Sequence, residues 1–293
     1  MRHDIKTLLG TKDYSVEKKL ERKGSVLRFL RTKSGRYVLK ESASNVSEEV
    51  AEQRKVRKKI EHVPYVTAPK VVASDEQAIL YEYKQGVVLE KFCVQNVGMF
   101  KNNQKSIRWH IDNVAKALAK IHVPSQKSID KKTLSYFSKS HKQIILKEEV
   151  VELHGDVNTE NILCSEKQTV FLDPSGKKVC GSRYFDVACF THHLCFKTPF
   201  KYLSLSAFIH RKKYESYFLK RYCEYSGESI NRLVYEVYRC YHLRSMARLA
   251  KKNAKNKAFI QSAKLRIVHV IALLALRRRE KRVERMLHDK ESK

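Results

Sequence analysis

Two carboxylates and a carboxamide lie close together in LHGDVNTENILCSEKQTVFLDPSG, residues 153–176. Asp156 closes a His-Gly-Asp turn, Asn161 follows five positions later, and Asp173 ends a short apolar run. Gly155 permits a tight turn that can aim the Asp156 carboxylate into a cleft, where it can accept a proton from a hydroxyl group. Asn161 and Asp173 are hard oxygen donors of the kind Mg²⁺ takes. The run ILCSEKQTVFLD reads as strand, four-residue turn and strand; such a hairpin returns Asp173 beside Asn161, so the two could share a metal. A base, a metal pair and a lysine on the triphosphate are the parts that phosphoryl transfer from ATP requires.

The elements around this stretch follow from pattern. SVLRFLR (residues 25–31) and RYVLK (36–40) flank TKSG and predict a hairpin. SNVSEEVAEQRKVRKKI predicts a helix, with Ser44, Asn45 or Ser47 as its cap, acids early and bases late. APKVVAS and AILYEYKQG read as two further strands, the second ending at Gly86. From there the period becomes helical: Ile111, Val114, Leu118 and Ile121 recur about every 3.6 residues. Beyond residue 186 everything reads as helices rich in Tyr, Lys and Arg. This order predicts an α+β fold in two lobes: a small β-rich lobe with one helix over residues 1–82, a join near 82–88, and a larger helical lobe over 83–293.

The chain has 293 residues, 42% of them hydrophobic, ample for a buried core. Its net charge of +29 favours a polyanionic partner, nucleic acid or an anionic membrane face, and is silent about fold. Seven cysteines without a CxxC pair read as reduced thiols of a cytosolic protein. MRHDIKTLLGTKDY lacks the apolar run of a signal peptide. The longest near-continuous apolar run, Ile267–Leu276, is half the ~20 residues that span a bilayer. The expected location is cytoplasmic, with peripheral contact at the inner face of the cytoplasmic membrane.

HGDVNTEN followed by FLDP resembles the HGDxxxxN…D motif of the aminoglycoside phosphotransferase family, within the protein-kinase-like superfamily. VAKALAKIHVP is similar to the helix that leads into that family's catalytic loop, and GSRYFDVACF to a later segment in which Asp186 would brace the loop. LYEYKQG resembles the interlobe hinge, which implies nucleotide contacts at Glu82 and Tyr83. RYVLK puts Lys40 where the family has its phosphate-binding lysine, with Glu52 as its expected partner ahead of Glu49 one turn earlier. The likeness runs in order over about residues 20–245. It implies a two-lobed kinase-like fold, the cofactors ATP and Mg²⁺, Asp156 as catalytic base, and Asn161 and Asp173 as metal ligands. TKSGRYVLK and LDPSGKK, with the short gap between Asn161 and Asp173, further resemble the lipopolysaccharide core heptose kinases.

Two departures narrow the expected substrate. Only Gly24, in RKGSVLR, stands where protein kinases have a glycine-rich loop. An aminoglycoside-modifying enzyme would present acids to its cationic drug, whereas GSRYFDVACFTHHLCFKTPFKY offers Arg183, His192, His193, Lys197 and Lys201. The expected acceptor is thus a sugar hydroxyl on an anionic glycan or glycolipid such as lipopolysaccharide core. A protein or RNA-associated kinase is the alternative, and a pseudokinase that binds nucleic acid or membrane is a third reading. His154 reads as orienting the loop rather than carrying a proton. His192 and His193 find no third ligand at metal-site spacing. The tyrosines of YESYFLKRYCEY and LVYEVYRCYHL read as core residues with a wet hydroxyl, or as stacking platforms for bases. From Arg239 onward about 17 lysines or arginines stand against 4 acids. That run reads as a solvated face, an interfacial membrane helix or a nucleic-acid surface.

Overall fold

The computed structural model of the protein describes residues 5–291 apart from 23, 43–44, 99–100, 130, 176–179, 203–204 and 255–258. A five-stranded antiparallel sheet comes first, in the order Tyr14–Arg22, Ser25–Thr32, Gly35–Ser42, Ala78–Glu82, Val71–Ser74. The strands expected at 25–31 and 36–40 pair about their turn, and Lys40 lies opposite Leu27 on one side and Ile79 on the other. Because side chains alternate across a pleat, Leu27, Phe29, Val38, Lys40 and Tyr81 share one face. Leu30, Leu39 and Leu80 take the opposite face, under Ile5, Leu8 and Leu9 of a short N-terminal helix. The edge strand Tyr14–Arg22 carries a charge at most of its positions, so no apolar run announces it.

Helix Val46–Ile60 crosses the sheet and buries Val46, Glu49, Val50, Gln53, Val56 and Ile60, a spacing of three and four residues. Its N-cap is Asn45, whose side chain accepts a hydrogen bond from Ser47 Oγ at 2.8 Å instead of from the helix backbone. Ser44 lies outside the described residues.

The larger, helical part is built on helices Gln104–Ile121, Leu205–Ser226, Arg232–Ala254 and Phe259–Glu291. Its core includes the fully buried Tyr222, Tyr235 and Tyr238, so these tyrosines fill the interior and do not offer stacking platforms. No described helix is long and apolar enough to cross a membrane.

The segment that holds the site begins and ends on one short ladder, Val150–Glu152 antiparallel to Cys180–Ser182. Inside it the predicted hairpin forms from Ile162–Cys164 and Thr169–Phe171. Short strands from earlier in the chain flank the hairpin: Val66–Thr67 runs parallel to Thr169–Phe171, and Val87–Val88 antiparallel to Ile162–Cys164. Gly86 makes the second contact possible. A Cβ there would sit 3.0 Å from the Cys164 carbonyl oxygen and from Leu163 Cβ.

Candidate active site

Asp156 stands in the loop that follows Val150–Glu152, and the loop is shaped by side chains from far along the chain. Asp186, fully buried near the start of helix Tyr184–His192, accepts from the backbone N–H groups of His154 (2.7 Å) and Gly155 (3.0 Å). Gly155 takes φ 77°, a conformation most residues avoid. Asp186 is held in turn by His122 Nε2 at 3.2 Å, and His122 Nδ1 pairs with the Tyr222 hydroxyl at 2.7 Å. Asp186 thus braces the loop backbone, as the resemblance implied. The His154 ring is buried edge-on against Phe171, and burial holds its pKa below the ordinary histidine value. It packs the loop and is poorly placed to carry a proton.

Asp156 keeps an exposed face, while the protein packed around its carboxylate raises its pKa to about 6. Asn158 Nδ2 donates to one of its oxygens at 3.0 Å and Asn161 Nδ2 to the other at 2.8 Å. Asn158 also accepts from the N–H groups of Glu160 and Asn161, so one carboxamide both closes the turn and orients the carboxylate. Sequence reasoning passed over Asn158; the available signal is a loop asparagine, whose side chain can accept from the N–H two residues on, here that of Glu160.

The hairpin brings Asp173 back to Asn161, with the Leu172 N–H donating to the Asn161 carbonyl at 2.8 Å. Asp173 has φ 56°, unusual for a residue with a side chain. Both N–H donors of the Asn161 amide turn toward Asp156, which leaves its Oδ1, with the Asp173 carboxylate, as the oxygen pair able to take a cation. Both residues line one cavity of about 690 Å³. Two hard donors fit Mg²⁺, which keeps several waters and takes its remaining ligands from substrate phosphates. No cluster of three His, Cys, Asp or Glu able to hold a metal exists among the described residues.

Lys40 reaches the same place from the sheet and pairs with Asp173 and, at 2.6 Å, with Glu49. Burial alone would lower the pKa of its ammonium, but the two carboxylates outweigh it and hold the pKa above the ordinary lysine value. The partner on the helix is therefore Glu49, and the expectation of Glu52 is corrected. Lys40 lies opposite Ile79, which packs against Val46 and Val50, so the turn of helix above it is the one that carries Glu49. Glu52 is half-buried elsewhere, and burial, with Glu152 nearby, raises its pKa. Tyr81 adds a further hydrogen bond to Glu49 at 2.9 Å.

At the hinge, Glu82 and Tyr83 both line the cavity, but their N–H groups are engaged by the Lys70 and Arg36 carbonyls at 2.9 and 3.2 Å. A base bound there would meet the carbonyls and side chains of these residues. The Arg36 guanidinium lies 4.3 Å from the centre of the Tyr83 ring, and Phe29 meets that ring edge-on. Such a flat aromatic and cationic wall suits a nucleobase.

The five bases expected to face a substrate are occupied. Arg183 pairs with Glu149 and Glu228, Lys197 with Glu160, and Lys201 with Glu90 and Glu160. His192 is buried and His193 half-buried, and burial with neighbouring cationic groups pushes both pKa values well down. These pairings join residues tens of positions apart and carry no local signal. Gly176, Lys177 and Lys178 of LDPSGKK lie outside the described residues.

No protein-family model matches the chain, and no curated protein sequence does. Solved structures do. A Ralstonia eutropha protein assigned to the aminoglycoside phosphotransferases superposes with a TM-score of 0.60 at 15% identity, over 92% of this chain and 93% of that one. Choline kinase from Cryptosporidium parvum gives 0.55 at 13% identity, over 95% and 91%. The streptomycin–ATP ternary complex of APH(2")-IIa gives 0.51 at 13%, over 84% and 90%. The chain accordingly has the two-lobed protein-kinase-like fold of the aminoglycoside phosphotransferases and related small-molecule kinases, with a small β-rich lobe and a larger helical one.

Proposed function

We propose that the protein is a phosphotransferase that moves the γ-phosphoryl group of ATP onto an alcohol hydroxyl. The observation that carries this reading is that Lys40 from the sheet, Asn161 from the loop and Asp173 from the hairpin line one cleft, with the Asp156 carboxylate hydrogen-bonded to Asn161 beside it. Asp156 takes the proton of the acceptor hydroxyl as its oxygen attacks the γ-phosphorus, and ADP departs. Lys40, steadied by Glu49, draws the phosphates toward the sheet, while Asn161 and Asp173 would hold Mg²⁺. When bound, that ion offsets the negative charge of the β- and γ-phosphates. Similar structures that contain ATP and streptomycin, or carry the name choline kinase, support the same chemistry.

The acceptor is proposed to be a sugar hydroxyl on an anionic glycan or glycolipid. The net charge of +29 supports this choice. The support lies in the outer surface, since the bases of segment 183–201 are already paired or neutral.

Asp156→Asn is expected to lower transfer ~10²-fold or more, the usual worth of a positioned base, with calorimetric affinity for Mg-ATP nearly unchanged. Asp173→Ala should weaken Mg-dependent ATP binding more than Asn161→Ala, since a carboxylate is the stronger ligand for a hard cation. A wild-type protein that shows no Mg-dependent ATP binding overturns the reading and leaves a catalytically inactive fold. Transfer to choline or streptomycin, with none to a phosphorylated oligosaccharide, overturns the acceptor alone.

A further inference from the structure

Helix Phe259–Glu291 packs along helix Arg232–Ala254 and buries Ala272, Leu276 and Val283. Its other side is bare: Ile267, Val270 and Leu274 are 60%, 53% and 51% exposed. At 100° per residue, these three fall within about 60° of arc and extend about 10 Å along the axis. Arg277, Arg278 and Lys281 continue the same side toward the C-terminus, and Arg266 borders it; all four are exposed. On the neighbouring helix Leu249 is exposed beside Arg248, Lys251 and Lys252. Not one acid occurs between Glu236 and Glu280, while lysines and arginines recur throughout that stretch.

Not every base here belongs to this surface. Arg279 and Arg282 pair with Glu236, which is 3% exposed, and Arg244 pairs with Glu280. Those arginines fasten the two helices to each other, which separates them from the outward bases.

A bare aliphatic stripe needs an occupant, and the charge around it selects one. A second copy would bring the same predominantly basic surface against itself, because a two-fold interface pairs a patch with its own image. A nucleic acid would use the bases and gain little from isoleucine, valine and leucine. We propose that this face docks on a membrane surface rich in anionic lipid. The aliphatic side chains enter the boundary between headgroups and acyl chains, and the flanking bases meet the headgroup phosphates. This docking is independent of the transfer reaction.

The test is co-sedimentation of the full chain with phosphatidylcholine vesicles, with or without phosphatidylglycerol. Wild type is expected to bind only the mixed vesicles and to be released by salt. Arg266→Gln, Arg277→Gln and Arg278→Gln together should lower the partition coefficient about 100-fold, from a factor of about five for each base at low salt. Ile267→Ser, Val270→Ser and Leu274→Ser together should also abolish binding, although no charge is changed. Should that triple variant fold poorly, Val270→Trp provides a second reading: its fluorescence should shift to the blue on mixed vesicles, over a wild-type baseline from Trp109. Absence of wild-type binding overturns the proposal, as does full binding by the serine variant. Sedimentation as a dimer that the serine variant abolishes, or tight RNA binding without vesicle binding, overturns it in favour of those partners.

Discussion

Lys40 is held by two carboxylates that play different parts. Asp173 would be drawn toward a cation and the phosphates, whereas Glu49 remains with the lysine and also receives the Tyr81 hydroxyl. Losing Glu49 removes a hydrogen bond between charged groups, worth about 1.5–3 kcal/mol. Glu49→Gln is therefore expected to lower kcat/KM for ATP by about ten- to a hundredfold, and Glu52→Gln to leave it within about twofold. Steady-state kinetics on the two variants makes the comparison, and the reverse ranking would return the role to Glu52. The sequence favours Glu52 over Glu49, but which one faces the sheet depends on how the helix is rotated. That rotation follows from Val46 and Val50 packing on Ile79, a contact between distant segments. Lys40, Asp156, Asn161 and Asp173 are easier to read, since a turn, a loop and a hairpin place three of them within 18 consecutive residues.

Helix Gln104–Ile121 supports the hairpin from behind. His110 Nδ1 pairs with Thr169 Oγ1 at 2.8 Å, and Asn113 Nδ2 donates to the same hydroxyl at 3.1 Å. Burial depresses the pKa of His110 to about 4. The folded state thus takes up this proton less readily than the unfolded chain, whose histidine titrates near 6.5. Stability from this residue is complete above about pH 6.5 and falls as pH drops toward 4, by at most about 3 kcal/mol. Urea midpoints at pH 7 and pH 4.5 should accordingly differ less in His110→Asn than in wild type. An equal acid loss in both proteins would assign the effect to other groups. The helix itself is plain in the sequence, through Ile111, Val114, Leu118 and Ile121. Its polar contact with Thr169 is not, because His110 and Thr169 are 59 positions apart.

At the scale of the whole molecule, positive charge is distributed unevenly. Before residue 237 it is met by acids such as Glu49, Glu90, Glu149 and Glu160, while the stretch from 237 to 279 has none of its own. The two-lobed plan was legible because a change from strand-like to helical period marks it. We place the join of the lobes at 82–88, where the five-stranded sheet ends and Val87–Val88 pairs with the hairpin instead.

The parallel pairing of Val66–Thr67 with Thr169–Phe171 constrains the order in which the protein can fold. The five-stranded sheet draws its strand pairs from residues 14–82, so short loops close it. Thr67 must wait for Val170, 103 residues later, which makes this one of the slow closures in the chain. During synthesis the first sheet would stand complete, with Lys40 in register, while the strand edge at Val66–Thr67 is still open. In pulse-labelling hydrogen exchange, the amides of Leu39 and Leu80 should gain protection before that of Thr169, which donates to the Tyr65 carbonyl at 2.8 Å. Simultaneous protection would mean that the sheet cannot form ahead of the hairpin. In the expected order, the lysine is in position first, and the aspartate that pairs with it arrives only when the last strand closes.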